Sequence, residues 1–489
     1  MLSFDTMIQQ VRGRRIIAGI GANLISEIAR AALLPLMAIV AARYLGSDRY
    51  GVFATGQALQ AFAATFAGFG LMYAVLQIGA RREEALRSLL GHSLVGAVIS
   101  AAVAFAGLAA WVYLFGYSGQ TRAVVLIMGT ALFPMACGQQ LMAALQVEGR
   151  YTTMAIGGVV AAVANVVCAL IVVLGNLGLT ALALSPVIGS VAMAAFMAYA
   201  LREQLAFRIR VAQLRNMFRV GFLFGLGEFL YFIYFSIDLV LLSLLVGERA
   251  VGLYNIPVRV LVVAYLLPVV VFNRVLYPRY FEWGHLDRDR LHETYVLTTK
   301  GMLLIGLIIA TGLILVAHPF VPFIFGSPFR ESAFLLQILA LAVPFRYVSS
   351  SAAAVLTTTN RIGTRVRIQA ATAVFNVALC LIMIPFFEAR GAAVATVLTE
   401  ALLAALQVFA VSRAAIGAGL AQKGRIWLFA LPYGALAVAM IWHAVPWAFA
   451  LCELVAVVSL LAIVGPFKFF QGINLPALSP AEAEAPQLP

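Results

Sequence analysis

Charged side chains stand inside stretches of this sequence that are otherwise apolar. Seven residues share this setting: Glu27, Arg30, Glu228, Asp238, Arg259, Arg346 and Glu400. Each costs about 2.5–3.5 kcal/mol at the centre of a helix in lipid, so such residues are retained where they face a cavity or one another. The seven residues therefore predict a polar site inside a membrane protein.

The three arginines of this set suit a phosphate-bearing anion. Arg30, Arg259 and Arg346 stay protonated in a medium of low dielectric constant, and the guanidinium fork matches the geometry of phosphate oxygens. The polar stripes on which two of them lie follow helical spacing: Asn23 and Glu27 precede Arg30, and Asn255 precedes Arg259 by one turn. The three arginines therefore favour an anionic ligand.

The four carboxylates suit a charge network. Glu27, Glu228, Asp238 and Glu400 can carry a coupling H⁺ or Na⁺ when burial favours a bound cation. Structural ion pairing, such as Asp238 with Arg259 on neighbouring helices, is the alternative for the same residues.

Long apolar stretches position these side chains. The chain has 489 residues, of which 63% are hydrophobic and 11% charged, against roughly 25% charged in soluble domains. Apolar runs of about 18–25 residues recur along it, each able to cross a hydrocarbon core of about 30 Å. They predict an all-α polytopic membrane protein of about fourteen transmembrane helices. The predicted spans are 16–41, 51–78, 89–115, 123–146, 152–174, 178–200, 220–246, 253–273, 301–325, 333–357, 368–387, 391–412, 426–443 and 447–464.

The net charge of +13 is distributed as the positive-inside rule requires. The N-terminal segment and every second loop after it hold 24 of the 33 Lys and Arg residues, and the alternate loops hold six. This asymmetry predicts an inner-membrane protein with both termini in the cytoplasm. It also predicts contact with anionic membrane lipids rather than with nucleic acid.

An internal repeat divides the chain. Gly46–Phe53 matches Gly247–Tyr254 at an offset of 201 residues, which also aligns Glu27 with Glu228. Because the copies have the same orientation, they predict two parallel six-helix lobes; chance similarity between apolar helices is the alternative. The predicted organisation is an N-terminal lobe at 1–200, a basic cytoplasmic linker at 201–219, a C-terminal lobe at 220–412, an extra helix pair at 426–464 and a disordered tail at 465–489.

Three motifs carry a family resemblance. The segment Ala42–Phe53, the run from Asp238 through Val251–Arg259 to Leu276–Pro278, and the entry at Arg390–Thr396 follow one another in a characteristic order. This order resembles that of the polysaccharide transporter family, the O-antigen and exopolysaccharide flippases within the multidrug/oligosaccharidyl-lipid/polysaccharide exporter superfamily.

The resemblance implies alternating access and export of undecaprenyl-diphosphate-linked oligosaccharide repeat units to the external leaflet. With that cargo, Arg30, Arg259 and Arg346 are the candidates that bind the diphosphate. It also implies work alongside a glycan polymerase or a chain-length regulator. The candidate sugar contacts are polar or aromatic residues of the same helices: Asn23, Gln57, Gln60, Asn255, Tyr231 and Tyr234.

Other activities are less well supported by the residues. No Walker motif and no metal-ligand spacing is present, the four cysteines lie in apolar runs, and we expect neither a cofactor nor a catalytic residue. A drug/cation antiporter of the same superfamily is the alternative, although three arginines favour an anionic cargo. A membrane-embedded glycan polymerase or ligase is a further alternative, although such enzymes usually need a large external loop.

Overall fold

The computed structural model describes residues 35–80, 86–205, 210–276, 280–281, 283, 288–359 and 361–414. The predicted spans 426–443 and 447–464, the predicted tail and the site residues Asn23, Glu27 and Arg30 lie outside these ranges. Within them the chain is helical, with short turns between helices.

The N-terminal half of the described chain contains eight helices. They are α1 (35–64), α2 (Leu71–Ala80), α3 (Leu86–Leu114), α4 (Gly119–Gly129), α5 (Leu132–Val147), α6 (Tyr151–Leu174), α7 (Leu179–Leu182) and α8 (Ser185–Ala200).

The C-terminal half follows after a short 3₁₀ turn at Arg202–Gln204. Its helices are α9 (Val211–Leu245), α10 (Glu248–Ala264), α11 (Leu266–Val270), α12 (Arg288–Phe325), α13 (Arg330–Ala340), α14 (Ala342–Thr358) and α15 (Ile362–Ala414), with a π-helical segment at Val271–Leu276.

Nine helical segments of the described ranges are long and apolar enough to cross a membrane, with mean hydropathies of 1.5–2.6 over their best windows. Large apolar side chains also cover the outside of the bundle, where water would disfavour them: Leu114 is 80% exposed and Leu174 is 85% exposed. Lipid is the solvent that such a surface requires. The all-α polytopic membrane fold predicted from sequence is therefore confirmed.

Residues with left-handed backbone interrupt the longest helices. Gly46 (φ 71°) separates two arms of α1, Gly247 (φ 121°) separates α9 from α10, and Glu388 (φ 51°) separates two arms of α15. Gly46 and Gly247 are also the first residues of the two repeat motifs. The repeat therefore places a reversal of the chain at equivalent positions in both halves, where glycine adopts a positive φ without steric cost.

The two halves approach closely at glycines of the repeat. A Cβ atom built on Gly51 in α1 would lie 2.1 Å from the carbonyl oxygen of Glu248, and one on Gly252 in α10 would lie 2.8 Å from the Cα of Gly51. Small residues that let helix backbones touch are typical of helix association in membranes. This contact fixes α10 against the second arm of α1.

Two helices begin nine or more residues before the predicted spans. α9 begins at Val211, inside the segment predicted as a cytoplasmic linker, and α12 begins at Arg288. In α9 the reason is packing: Leu214 and Phe218 lie one turn apart and contact the position of Gly96 in α3. The segment whose arginines suggested a loop thus also has apolar residues at helical spacing, and these residues form one face of the helix.

Candidate functional site

Arg259 lies at the junction of the two halves. Its Nη2 donates a 2.8 Å hydrogen bond to Oε1 of Gln57 in the second arm of α1, and its Nε donates a 3.3 Å hydrogen bond to Oδ1 of Asn255. The same Asn255 oxygen accepts a 2.9 Å hydrogen bond from the hydroxyl of Tyr50. Three predicted site residues therefore form one network, and Tyr50 completes it.

This network contains no counter-charge among the described residues. Arg259 is half-buried, and no carboxylate of the described ranges lies within salt-bridge distance of its guanidinium. Neutral amide oxygens satisfy two of its five N–H donors, which leaves cationic donors for an anion. The alternative of an Asp238–Arg259 ion pair is not what the structure shows.

Asp238 belongs to a separate buried cluster in the C-terminal half. Its side chain is 7% exposed and accepts hydrogen bonds from the hydroxyl of Tyr254 and from the backbone N–H of Leu239. The Tyr254 hydroxyl also lies 3.0 Å from the hydroxyl of Thr396 in α15. A buried carboxylate with hydroxyl partners and no cation within 4 Å, among the described residues, can hold a proton or a small cation.

Arg346 and Glu400 form an ion pair across α14 and α15. The pair has an Nη1–Oε1 distance of 3.3 Å, and the two side chains are 19% and 7% exposed. The hydroxyl of Tyr234 donates to the same Oε1 over 2.6 Å and accepts from Nη1 of Arg346 over 3.0 Å. The guanidinium carbon also lies 5.4 Å from the centre of the Tyr265 ring. Arg346 is therefore partly neutralised, unlike Arg259.

The remaining predicted residues are dispersed. Gln60 is buried inside the N-terminal half and donates to the sulfur of Met135 over 3.4 Å. Glu228 lies on an exposed face of α9, beside the hydroxyl of Tyr73. Tyr231 is exposed on α9 and stacks on Phe235 with ring centres 5.8 Å apart. Of the described candidates, only Gln57 and Asn255 join Arg259.

The side of the molecule that carries Gly46 and Gly247 is closed by polar contacts between the halves. Arg249 lies 3.8 Å from Asp48 of the N-terminal half and 3.6 Å from Glu331 of its own half. The hydroxyl of Thr121 donates to Glu248 over 2.8 Å. Other contacts with the same effect are the Arg43 side chain on the carbonyls of Phe323 and Ile324, and the hydroxyls of Tyr117 and Ser243 on each other.

Several residues of these clusters were missed at the level of sequence. Tyr50 stands four residues after Gly46, and Tyr254 stands seven residues after Gly247. Both tyrosines therefore lie inside the repeat motifs, which could have indicated them. Thr396 carried no such signal, because a threonine in an apolar helix usually bonds its own backbone, as this one also does with the carbonyl of Ala392. No group of three or more His, Cys, Asp or Glu side chains that could hold a metal occurs among the described residues.

The sequence is similar to a protein family that has been described. A family model described as "Polysaccharide biosynthesis protein" matches residues 40–334, more than half of the chain. The teichuronic acid biosynthesis protein TuaB of Bacillus subtilis is 24% identical over 121 residues, which is 25% of each protein.

Two solved structures share the fold. The lipid II flippase MurJ in an inward closed conformation superposes with a TM-score of 0.68 at 14% identity, covering 92% of this chain and 99% of that one. An inward-facing multidrug resistance MATE family transporter of the MOP superfamily superposes with a TM-score of 0.61 at 17% identity, covering 78% of this chain and 96% of that one. The chain thus belongs to the polysaccharide biosynthesis protein family, and it shares its fold with these two membrane proteins.

Proposed function

We propose that this protein is a flippase that moves undecaprenyl-diphosphate-linked oligosaccharide repeat units from the cytoplasmic to the external leaflet by alternating access. The cargo would serve the synthesis of a cell-surface polysaccharide such as O-antigen or exopolysaccharide. The observation that carries the proposal is Arg259, a half-buried cation at the junction of the halves whose partners among the described residues are neutral.

The electrostatics favour an anionic cargo. A half-buried guanidinium without a counter-ion is costly, and a diphosphate offers the bidentate acceptor that its fork fits. Arg346 provides a second but partly neutralised cation, and Arg30 completes the predicted set. The similar proteins point the same way, since one is a lipid II flippase and another is a teichuronic acid biosynthesis protein.

The direction of access follows from the closed side of the molecule. If both termini are cytoplasmic, as the Lys and Arg distribution predicts, the contacts of Arg249, Asp48, Thr121 and Glu248 close the external side. The described conformation then suits cargo loading from the cytoplasmic leaflet of the inner membrane. Opening toward the exterior would require these contacts to break.

Coupling to an ion is assigned to the carboxylates. Asp238 is the strongest candidate for an H⁺ or Na⁺ site, because it is buried and its partners are hydroxyls and a backbone N–H. Glu27, Glu228 and Glu400 are weaker candidates: Glu400 is paired with Arg346, and Glu228 is exposed. We further propose that a glycan polymerase or chain-length regulator receives the product.

A drug/cation antiporter is the second candidate. The buried Asp238 without a basic partner among the described residues favours it, because such a carboxylate can alternate between H⁺ and a cationic drug. The two candidates differ in the charge of the cargo that Arg259 would accept.

The test is binding of undecaprenyl diphosphate to the purified full-length protein in nanodiscs of zwitterionic lipid. Arg259→Ala should weaken binding by about ten- to a hundredfold, since a hydrogen bond to a charged group is worth about 1.5–3 kcal/mol. Arg259→Lys should retain part of the affinity, because it keeps the charge and loses the fork.

The matched control is Arg367→Ala, which removes an exposed guanidinium that donates only to the carbonyl of Gly363 among the described residues. Equal affinity of the wild-type protein and Arg259→Ala would refute the assignment. Binding of a lipophilic cation, competed by H⁺ and not by undecaprenyl diphosphate, would favour the antiporter instead.

A further inference from the structure

A polar cavity is lined, among the described residues, only by side chains of the C-terminal half. It has a volume of about 290 Å³ and is separate from the Arg259 network, none of whose members lines it. Its walls are single faces of α9, the segment after α10, α14 and both arms of α15. The lining residues on which the argument rests are Tyr231, Tyr234, Arg346, Arg365, Gln369 and Gln407.

Helical spacing accounts for this convergence. In α15, Arg365 and Gln369 are one turn apart on the first arm, and Gln407 lies two turns after Glu400 on the second arm. The break at Glu388 folds these two arms back so that both faces reach the same cavity.

The cavity wall carries polar atoms that have no partner among the described residues. Gln407 is 1% exposed, and its Oε1 accepts no hydrogen bond. Behind the wall, Oε2 of the buried Glu400 is likewise unpaired, while its Oε1 is occupied by Arg346 and Tyr234. The Nε donor of Arg365 is also unpaired, and its Nη1 donates to Thr357 over 2.7 Å. Buried polar atoms of this kind are costly unless a ligand satisfies them.

The chemistry of the wall matches a sugar ring. Hydroxyl groups both donate and accept, and the wall offers donors on Arg365 and Gln369 and an acceptor on Gln407. The aromatic side chains of Tyr231, Tyr234 and Phe272 provide apolar faces for the ring carbons.

The charge of the wall adds a requirement for an anion. The groups around the cavity include two guanidinium groups, of Arg346 and Arg365, and one carboxylate, of Glu400, which leaves an excess of positive charge. The volume lies at the lower end of the roughly 300–1,000 Å³ of small-molecule pockets, which suits one ring rather than a whole repeat unit.

We propose that this cavity is a subsite for one carboxylate-bearing sugar residue of the cargo glycan, with Arg365 holding the carboxylate and Gln407 and Gln369 holding ring hydroxyls. The inference rests on the proposed function for its cargo. The cargo would then be recognised at two sites. Arg259 binds the lipid diphosphate at the junction of the halves, and the C-terminal cavity binds an acidic sugar.

The test uses two soluble probes that share a ring, sodium D-glucuronate and D-glucose, with sodium acetate as a third. The unfolding temperature of the full-length protein in zwitterionic nanodiscs should rise to a plateau as glucuronate is added. It should not change with glucose or acetate. Arg365→Gln and Gln407→Leu should each weaken the glucuronate response by about tenfold or more. Arg367→Gln, on an exposed position of the same helix, should leave it unchanged.

Several outcomes would overturn the subsite: no glucuronate response, an equal response to glucose or to acetate, or an unchanged response in both Arg365→Gln and Gln407→Leu. Undecaprenyl diphosphate binding reports separately on the proposed function and on folding of the variants. Arg365→Gln should retain that binding, whereas Arg259→Ala should lose it. If the lipid does not bind the wild-type protein while glucuronate does, the proposed function fails and the sugar subsite stands.

Discussion

The guanidinium of Arg259 in α10 donates a 2.8 Å hydrogen bond to the side-chain oxygen of Gln57 in α1, and so joins the two halves of the protein. The donor that would hold a diphosphate is therefore also a donor that holds the halves together. An anion that takes this N–H removes a contact across the junction. Cargo binding and movement of the halves are then linked through one side chain.

The first prediction concerns Gln57→Leu. The substitution removes the acceptor that competes for Arg259, so binding of undecaprenyl diphosphate should tighten, by up to about tenfold for a hydrogen bond worth about 0.5–1.5 kcal/mol. Equilibrium binding in nanodiscs measures this. Weaker binding in Gln57→Leu would instead show that the Gln57 side chain contacts the lipid diphosphate.

The second prediction concerns the buried pair of Arg346 and Glu400. Glu400→Leu alone leaves a buried guanidinium without its carboxylate and should destabilise the protein by about 3–5 kcal/mol. The double variant Arg346→Met/Glu400→Leu should recover most of that loss, because an apolar pair of similar volume carries no desolvation cost. Thermal unfolding in detergent measures both.

A matched single variant separates charge from packing. Gln337→Leu also replaces a buried polar side chain by an apolar one, and Gln337 donates one hydrogen bond to the carbonyl of Ile314. It should cost about 0.5–1.5 kcal/mol. A double variant no more stable than Glu400→Leu would show that the cost arises from packing rather than from an unpaired charge.

The sequence specified the fold through its physical constraints. Helix length and hydropathy follow from the thickness of the bilayer, so the spans at 89–115 and 152–174 correspond closely to α3 and α6. The repeat glycines Gly46 and Gly247 marked the reversals, because glycine adopts a positive φ without steric cost. The count of fourteen helices and the domain boundaries remain predictions, since the described ranges end at residue 414.

The site was only partly predictable. Rarity of charge in lipid identified Arg259, Arg346, Asp238 and Glu400, but it could not say which of them pair. The pairing of Glu400 with Arg346 depends on the crossing of α14 and α15, which residue types do not encode. Gln407 was not predicted, because the free-energy cost of one glutamine in an apolar span is too small to indicate a functional site.

The third prediction concerns the contact of Gly51 with Gly252. A methyl group on Gly51 would lie 2.1 Å from a backbone oxygen, so Gly51→Ala must push α10 away from α1. We expect lower thermal stability and a lost or weakened Arg259–Gln57 contact, with reduced undecaprenyl diphosphate transport in proteoliposomes. Gly107→Ala in α3 is the control: among the described residues, no atom beyond the backbone of its own helix lies within 4 Å of the added Cβ, and the change should be neutral or slightly stabilising. Equal behaviour of the two alanine variants would contradict the close approach.

The fourth prediction concerns the closed side of the molecule, which is proposed to be the external one. In a background without the native cysteines, Asp48→Cys and Arg249→Cys introduced together should be cross-linked by a short membrane-impermeant bifunctional thiol reagent, since the native side chains lie 3.8 Å apart. The cross-link should stop transport, and a reductant should restore it if the linker is cleavable.

The side of addition tests the orientation in the same experiment. The reagent should act on intact cells whose outer membrane has been made permeable. Reaction of a Ser47→Cys variant only after the inner membrane is breached would place Gly46 in the cytoplasm and reverse the proposed topology. Full transport in the cross-linked double variant would show that the halves do not separate on this side.

The last prediction concerns Asp238 as the coupling group. Asp238→Asn keeps the shape and one of the two acceptor oxygens, and it removes the charge. The variant should fold and bind undecaprenyl diphosphate, because Arg259 makes no contact with it, and its transport should lose dependence on a Na⁺ or H⁺ gradient. Tyr254→Phe should be the more destabilising change, since it leaves the buried carboxylate with one donor fewer. Asp289→Asn, at an exposed position in the first turn of α12, is the matched control and should keep the ion dependence of the wild type. Transport by Asp238→Asn with wild-type ion dependence would transfer the coupling role to the other carboxylates, Glu27 or Glu228.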